Sequence, residues 1–292
     1  MVAIALQRVR AADLVELTKP RIVLMVMITA GAGFWMAGPE PGQVMTLFHL
    51  LLGTALVAGG ASALNQIVER DADALMRRTS IRPMPQGRLD VPTASAFAWT
   101  IGLGGIVYLA TLVNLLTGAL AAATLGSYVL LYTPLKRRTS LATLVGGVPG
   151  ALPIVGGWAA ASGRLTPETA VLFWILFLWQ LPHFLALGWL YRDEYSRAGF
   201  RMLSADDPDG RITFLNASVY AAALVPVSLV PTILGLAGGA YFLAALVLSG
   251  GFLAFALVTF REATRARARR LFLMSLAYLP LLLVAMAVNR IS

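Results

Sequence analysis

Long apolar segments separated by short polar stretches dominate this chain. A membrane-spanning helix needs about 20 mainly apolar residues. Nine segments meet this need, at about residues 20–38, 44–67, 92–113, 117–133, 142–161, 168–190, 212–234, 239–260 and 271–289. None shows the alternating polarity of a transmembrane β-strand, and a helix satisfies its own backbone groups in lipid. The pattern predicts an all-α polytopic membrane protein, with residues 1–292 forming one domain.

The composition agrees with this class of protein. Hydrophobic residues make up 58% of the chain and charged residues only 13%, whereas soluble domains average about 25% charged residues. The chain contains no cysteine, which excludes disulfides and thiolate metal sites.

Basic residues are distributed unevenly between the predicted loops. Of the 23 lysine and arginine residues, all but Arg164 and Arg290 fall on one side of the nine spans. Positively charged loops remain in the cytoplasm, so we expect a multi-pass protein of the cell (inner) membrane. Its N-terminus would be cytoplasmic and its C-terminus on the opposite side. The net charge of +9 then reflects topology and anionic lipid, and no nucleic-acid partner is predicted.

Polar residues mark the end of the second span. Asn65, Glu69 and Asp73 are four residues apart, which keeps them within an arc of about 80° on a helix. Amide and carboxylate oxygens facing a cavity suit magnesium, which often bridges carboxylates to a substrate phosphate. Asp71 is a fourth candidate ligand if the helix ends near it. The alternative is a solvated helix end, which the costly placement of Asn65 in an apolar span disfavours.

Basic residues follow directly. Arginine binds phosphate oxygens through two parallel hydrogen bonds, so Arg77, Arg78 and Arg82 are candidates to bind a phosphate group. Arg21, just inside the first span, and Lys136, after the fourth, are further candidates. For each arginine the alternative is that its positive charge only helps to set the orientation of the protein in the membrane. Lys136 could equally extend to the membrane interface.

A further polar group lies near the end of the sixth span. His183 follows Pro182, and an intrahelical proline frees backbone groups and often marks a pocket in membrane helices. Glu194 would lie about 20° around the helix from His183 if that helix continued. The only other histidine, His49, is predicted to be structural. The glycine-rich run 146–158 either packs helices closely or leaves space beside a flat cofactor.

These motifs resemble the UbiA-type superfamily of intramembrane aromatic prenyltransferases. The resemblance is carried by residues 17–21, 65–87, 132–136, 146–158 and 179–203, which are spread over most of the chain. The Asn-x-x-x-acid-x-x-x-Asp pattern is common to the superfamily. The runs Arg-Thr-x-x-Arg-Pro-x-Pro-x-Gly and Trp-Gln-x-Pro-His-Phe resemble the branch that farnesylates haem.

The resemblance implies nine helices around a central cavity and transfer of a farnesyl group from farnesyl diphosphate to a vinyl group of haem b, giving haem O. It implies diphosphate-bound magnesium, haem b as substrate rather than prosthetic group, and a downstream haem-modifying enzyme. His183 would be a haem ligand, a hydrogen-bond donor or a core histidine. Catalytic roles are expected for Asn65, Glu69, Asp73, Lys136 and Asp193, and substrate-binding roles for Arg21, Arg77, Arg78, Arg82, Tyr132, His183 and Glu194.

The sequence departs from the superfamily pattern in two places. The middle acid is Glu69 where aspartate is usual, so Asp71 competes for its role as a metal ligand. A later Asp-x-x-x-Asp pattern aligns with Tyr191 and Tyr195, and Asp193 is the candidate carboxylate between them.

Two other functions fit parts of the sequence. A prenyltransferase for a quinone precursor or chlorin would share the polar residues Asn65, Glu69 and Asp73, here called the acidic stripe. It would not explain Pro182-His183. A transporter would place polar residues near the bilayer midplane and on both faces, whereas here they gather on one side.

Overall fold

The computed structural model describes residues 10–291. Arg8, which contributes to the charge asymmetry, lies outside this range. The helices in chain order are α1 (Ala11–Leu17), α2 (Pro20–Met36), α3 (Val44–Ala74), α4 (Val91–Leu112), α5 (Leu115–Gly126), α6 (Thr133–Leu135), α7 (Ala142–Ser162), α8 (Pro167–Leu190), α9 (Arg192–Arg197), α10 (Arg211–Ile233), α11 (Gly239–Arg261) and α12 (Arg265–Val288).

The predicted all-α bundle is confirmed. Between residues 10 and 291, eight helical segments are long and apolar enough to cross a membrane. The apolar helix α2 is shorter, with 17 residues, a length at the lower end of the range for spanning helices. Together they account for the nine predicted spans.

The second span is longer than its apolar segment indicates. α3 continues without interruption to Ala74, seven residues beyond the predicted boundary at 67. Its last turns remain helical because their polar side chains face other protein elements: Asn65, Glu69 and Asp73 are all buried. The three predicted ligands therefore lie on a regular helix, as their spacing requires.

The fourth span changes its winding before it ends. α5 passes into a π-helix at Ser127–Tyr132, which α6 follows. Pro134 has no backbone N–H, and its ring would clash with the carbonyl group four residues earlier in an α-helix. The wider π turn relieves this conflict, and the Thr133 hydroxyl donates to the Tyr128 carbonyl oxygen at 2.8 Å.

The backbones of α2 and α7 are in direct contact where the helices cross. A Cβ atom at Gly33 would overlap the carbonyl oxygen of Ile154, and one at Gly157 would overlap that of Ala30. Small residues permit this approach in membrane proteins. The contact favours close helix packing over space for a flat cofactor in this part of the glycine-rich run.

The apolar interior has two main cores. One lies mainly among α7, α8, α10, α11 and α12, and the other mainly among α2, α3, α4 and α5. A cavity of about 50 Å³ lies between α2, α3, α4, α5 and α7. Its lining includes Val57, Ala58 and Ala61, which precede the acidic stripe on α3. The cavity thus lies beside the α3 turns that precede the stripe.

The sixth span ends at Leu190. Tyr191 leaves the helical conformation (φ −113°, ψ 20°), and α9 begins as a separate helix at Arg192. Glu194 is therefore not on a continuation of α8, so the condition for its alignment with His183 on one helix face is not met.

The loop 75–90, between α3 and α4, packs against the loop 198–210, between α9 and α10. Met76, from the first loop, joins Ala72, Ala198 and Phe200 in a small buried cluster. The Arg201 amide also donates to the Lys136 carbonyl oxygen at 2.8 Å. The loop after α9 is thereby fixed beside the acidic stripe.

Candidate active site

Each residue of the acidic stripe is paired with a cationic side chain from another part of the chain. The hydrogen bonds are Lys19 Nζ to Asn65 Oδ1 at 3.0 Å, Lys136 Nζ to Glu69 Oε1 at 2.8 Å, and Arg82 Nη1 to Asp73 Oδ2 at 2.6 Å. Arg82 and Lys136 balance the charges of the two carboxylates, and a protonated Lys19 then leaves an excess of positive charge. Such a site favours an anion.

The π-helix brings Lys136 to the stripe. The Lys136 ammonium lies over the Tyr132 ring, 4.4 Å from its centroid, and 5.8 Å from that of Phe200. Tyr132 packs on Tyr128, with 5.2 Å between ring centroids. These rings hold the ammonium close to Glu69 and provide aromatic faces beside it.

Lys19 was not among the residues predicted for the site. Among residues 10–291 it is the only non-glycine residue with a positive φ (55°), although it precedes Pro20, a position that disfavours helical backbone. Burial, reinforced by the positive charges of Arg82 and Lys136, lowers the pKa of Lys19 to about 7. Strained backbone of this kind clusters at functional sites. The sequence signal was the Lys19-Pro20 pair within one of the motifs that resemble the superfamily.

The loop after α3 holds Arg82 in place. The Thr79 hydroxyl donates to the Asp73 carbonyl oxygen at 2.9 Å, and the Arg82 amide donates to the Thr79 carbonyl oxygen at 3.0 Å. The loop thereby folds back over the end of α3. The Arg82 guanidinium reaches Asp73, whose side chain is almost fully buried.

Three predicted residues lie apart from the stripe. The Asp71 side chain is 81% exposed and pairs with Arg70, so Glu69 and not Asp71 joins the cluster. Arg21 and Arg77 are exposed, and neither side chain forms a hydrogen bond or ion pair with any described residue.

Arg78 connects the loop 75–90 to the segment around α9. It donates to the Tyr195 hydroxyl at 3.2 Å, and its guanidinium carbon lies 5.2 Å from the centroid of the Tyr191 ring. Both tyrosines occupy the positions where the superfamily pattern has aspartates. Asp193 is largely exposed, with Arg192 3.9 Å away. Glu194 is half-buried, and its Oε2 is buried without a hydrogen-bond partner among the residues described.

His183 lies in a separate cluster between α8 and α12. Its Nδ1 is 2.7 Å from the Ser275 hydroxyl, and its ring stacks on those of Trp179 and Phe272 at centroid distances of 5.6 and 4.8 Å. The other histidine, His49, bonds to the Tyr108 hydroxyl at 2.6 Å, which agrees with its predicted structural role.

The donor set of the stripe suits magnesium. Over the described range, no three or more histidine or acidic side chains gather closely enough to enclose a metal ion. Magnesium rarely needs such a cage, because it is usually held by one or two carboxylates and by substrate phosphates. Glu69 and Asp73, with the amide of Asn65, provide this combination beside an excess of positive charge.

Comparison with known proteins places the chain among prenyltransferases. Residues 26–279 match the UbiA prenyltransferase family. The chain is 45% identical over 287 residues to the protoheme IX farnesyltransferase of Solibacter usitatus (strain Ellin6076), covering 95% of this chain and 98% of that protein.

Solved structures share the fold. A digeranylgeranylglyceryl phosphate synthase aligns with a TM-score of 0.79 at 16% identity, over 95% of this chain and 97% of the other. A UbiA homologue from Archaeoglobus fulgidus bound to DMAPP and Mg²⁺ aligns with a TM-score of 0.60 at 16% identity, over 94% and 99%. The helical bundle, the family match and the similarity to curated relatives agree, and the chain belongs to the UbiA prenyltransferase family.

Proposed function

We propose that the protein transfers a farnesyl group from farnesyl diphosphate to a vinyl group of haem b, giving haem O. The observation that carries this proposal is the pairing of three cations with the acidic stripe. A polar site with excess positive charge at the end of an apolar bundle fits an amphiphile with an anionic head and a hydrocarbon tail. The name of the 45% identical relative supports haem as the acceptor.

Asn65, Glu69 and Asp73 would hold magnesium together with the diphosphate. The ion, when bound, stabilises negative charge on the phosphate oxygens as a Lewis acid. The Mg²⁺ bound together with DMAPP in the Archaeoglobus fulgidus homologue supports magnesium as the ion. Asp71 is left out of the proposed ligand set because its side chain is exposed.

Lys19, Arg82 and Lys136 bind the diphosphate head in this proposal. Each now donates to an oxygen of the stripe, and each can donate instead to a phosphate oxygen. An arriving anion favours the charged form of Lys19, whose pKa is otherwise lowered. Fixed donors directed at developing negative charge commonly contribute more than any other effect to catalysis of this kind.

The farnesyl tail follows α3 into the bundle. Val57, Ala58 and Ala61, on the α3 turns before Asn65, line the apolar cavity. At about 50 Å³ the cavity accommodates one or two waters, so the tail enters by spreading the surrounding side chains. The Tyr132 face lies beside the Lys136 ammonium and can stabilise a developing allylic cation.

The proposed reaction breaks the allylic carbon–oxygen bond, the vinyl π bond and one O–H bond of water, and it forms one carbon–carbon and one carbon–oxygen bond. The allylic C–O bond of farnesyl diphosphate ionises, and diphosphate leaves with the electron pair. The π electrons of the haem vinyl group attack the allylic cation. Water then adds to the resulting cation and loses a proton, which gives the hydroxyethylfarnesyl side chain. No protein nucleophile is needed.

Product analysis tests the proposed function. Purified protein in lipid nanodiscs is incubated with haem b, farnesyl diphosphate and magnesium, and the pigments are analysed by mass spectrometry. We expect haem O and one diphosphate per turnover. Parallel reactions with 4-hydroxybenzoate and with a chlorin test the alternative acceptors, and a prenylated product from either of these alone would overturn the proposal.

We further propose a cell inner membrane location with a cytoplasmic N-terminus, supported by the distribution of basic residues. Because the chain has no cysteine, single cysteines at the exposed positions Arg138 and Arg164 report topology without background. In intact cells an impermeant maleimide should label Arg164→Cys only. Labelling of Arg138→Cys alone would indicate the opposite orientation.

A further inference from the structure

The contacts of Ser275 determine which nitrogen of His183 carries the proton. The Ser275 hydroxyl oxygen lies 2.7 Å from His183 Nδ1 and 2.6 Å from the carbonyl oxygen of Phe272. Both are hydrogen-bond distances, and each contact needs one hydrogen atom between its heavy atoms.

The hydrogens can be assigned by counting donors. A serine hydroxyl has one hydrogen, and a carbonyl oxygen has none. At 2.6 Å the two oxygens would repel each other unless the hydroxyl hydrogen lies between them. The hydrogen of the other contact must then come from His183 Nδ1. His183 is therefore in the Nδ1–H tautomer, and its Nε2 carries a lone pair.

The ring that carries this lone pair is fixed in orientation. Trp179 and Phe272 each stack on it, and Trp179 Nε1 donates to the Ser275 carbonyl oxygen at 2.7 Å. His183 is half-buried, and its Nε2 has no hydrogen-bond partner among residues 10–291. A neutral imidazole held at one nitrogen and open at the other is the usual form of a metal ligand.

The surroundings restrict which metal this nitrogen can bind. In the described chain His183 belongs to no cluster of three or more histidine or acidic side chains, and its neighbours are aromatic. A single imidazole can bind a metal stably only when the other coordination positions of the metal are already filled by non-protein ligands. A metalloporphyrin meets this condition, and its flat apolar ring suits aromatic walls.

We infer that Ser275 is a positioning residue that holds His183 in the Nδ1–H tautomer, so that Nε2 serves as the axial ligand to the iron of a porphyrin substrate. This inference rests on the proposed function, since it assigns a binding mode to the proposed acceptor. His183 lies seven residues before the end of α8, about 10 Å along the helix axis. Asn65 lies nine residues before the end of α3, about 14 Å along its axis.

The experiment compares two porphyrins on three variants. Ferric haem b and metal-free protoporphyrin IX are titrated separately into the wild type, Ser275→Ala and His183→Ala, with the absorption spectrum as readout. Loss of a hydrogen-bond partner of a metal-bound histidine weakens metal affinity about 10- to 100-fold. We expect that loss for haem in Ser275→Ala, a larger one in His183→Ala, and almost no change for the metal-free ring in either.

Ser228→Ala is the matched control. It removes another buried serine hydroxyl, one that bonds to Tyr278 at 2.7 Å, without touching His183. It should leave the haem spectrum and affinity unchanged. Thermal unfolding of each variant verifies that it is folded, and free imidazole should restore the spectrum of ligated haem to His183→Ala.

Two results would overturn the inference. One is wild-type haem affinity and spectrum in Ser275→Ala. The other is an equal loss of affinity for haem and for the metal-free porphyrin, which would indicate ring packing and not ligation. Failure of the proposed function is separate, because wild-type protein would then yield no haem O by mass spectrometry.

Discussion

The ammonium of Lys136 lies 2.8 Å from the Glu69 carboxylate and is held there by a π turn that Pro134 imposes. If this ammonium stabilises the leaving diphosphate, Lys136→Met should lower kcat by about 10²- to 10³-fold, the usual cost of losing one such donor. The adjacent Arg137 is exposed, and Arg137→Met should retain near-normal turnover. Equal activities of the two variants in steady-state assays would show that Lys136 does not contribute to catalysis.

The stripe predicts a difference between two neighbouring aspartates. Asp73→Asn should raise the magnesium concentration needed for half-maximal activity more than about tenfold, since even indirect support of a metal site is worth that much. Asp71→Asn should not, because its side chain is exposed. Magnesium titrations of both variants give the comparison, and a similar shift in both would contradict the ligand assignment.

Asp73→Asn also leaves Arg82 without its buried partner, which can destabilise a protein by about 3–5 kcal/mol. The double variant Asp73→Asn with Arg82→Gln removes that unpaired charge. It should regain thermal stability without regaining the magnesium response. If the double variant regained both its thermal stability and its magnesium response, the weaker magnesium response of Asp73→Asn would be a consequence of misfolding and not of a lost ligand.

Lys19 and Arg21 lie two residues apart but differ in environment. Lys19 is bonded to Asn65 inside the site, whereas Arg21 is exposed. Lys19→Met should weaken binding of inorganic diphosphate by at least about tenfold, while Arg21→Met should change it less than about twofold, since exposed charge pairs contribute little. Isothermal titration with magnesium diphosphate measures both, and the reverse order would favour the sequence-based choice of Arg21.

The cavity beside the α3 turns before the stripe predicts control of prenyl chain length. Gly156 lines this cavity, and a Cβ there would contact no other atom. Gly156→Leu should therefore fill the cavity and lower kcat/KM for farnesyl diphosphate much more than for dimethylallyl diphosphate. Gly104 also faces open space but is exposed on α4, so Gly104→Leu is the control. An unchanged substrate ratio in Gly156→Leu would place the tail elsewhere.

Two adjacent glycines should differ in their tolerance of alanine. A Cβ at Gly157 would overlap the Ala30 carbonyl oxygen, whereas Gly156 has free space. Gly157→Ala should lower the free energy of unfolding by about 1–3 kcal/mol or more, the usual cost of overpacking. Gly156→Ala should have little effect. Thermal unfolding in matched detergent compares them, and equal midpoints would contradict the close crossing of α2 and α7.

Local pattern was enough to predict much of this molecule. Apolar length predicted the nine spans, and the spacing of Asn65, Glu69 and Asp73 predicted a shared helix face, because both depend only on helix geometry. Three other features depend on packing between distant segments. These are the winding of the π turn, the left-handed backbone of Lys19 and the end of α8 at Leu190. The sequence marks the first two only by a following proline.

The pairing of partners could not be predicted from the sequence. Arg77, Arg78 and Arg82 were equivalent candidates from their residue type. In the structure they lie respectively at the surface, against two tyrosines, and on Asp73. Side-chain direction in an irregular loop follows from its tertiary contacts, such as the bond from Thr79 to the Asp73 carbonyl oxygen. No periodic pattern encodes these contacts.

The separation of His183 and Ser275 along the chain has a consequence for biogenesis. The three cation pairs of the stripe involve no residue beyond Lys136, so their partners are all present when less than half of the chain has been synthesised. Ser275 is 92 residues after His183 and lies on the last helix. A nascent chain therefore carries the diphosphate-binding residues long before the histidine gains its partner. Insertion of the final helix is the step that completes the second cluster.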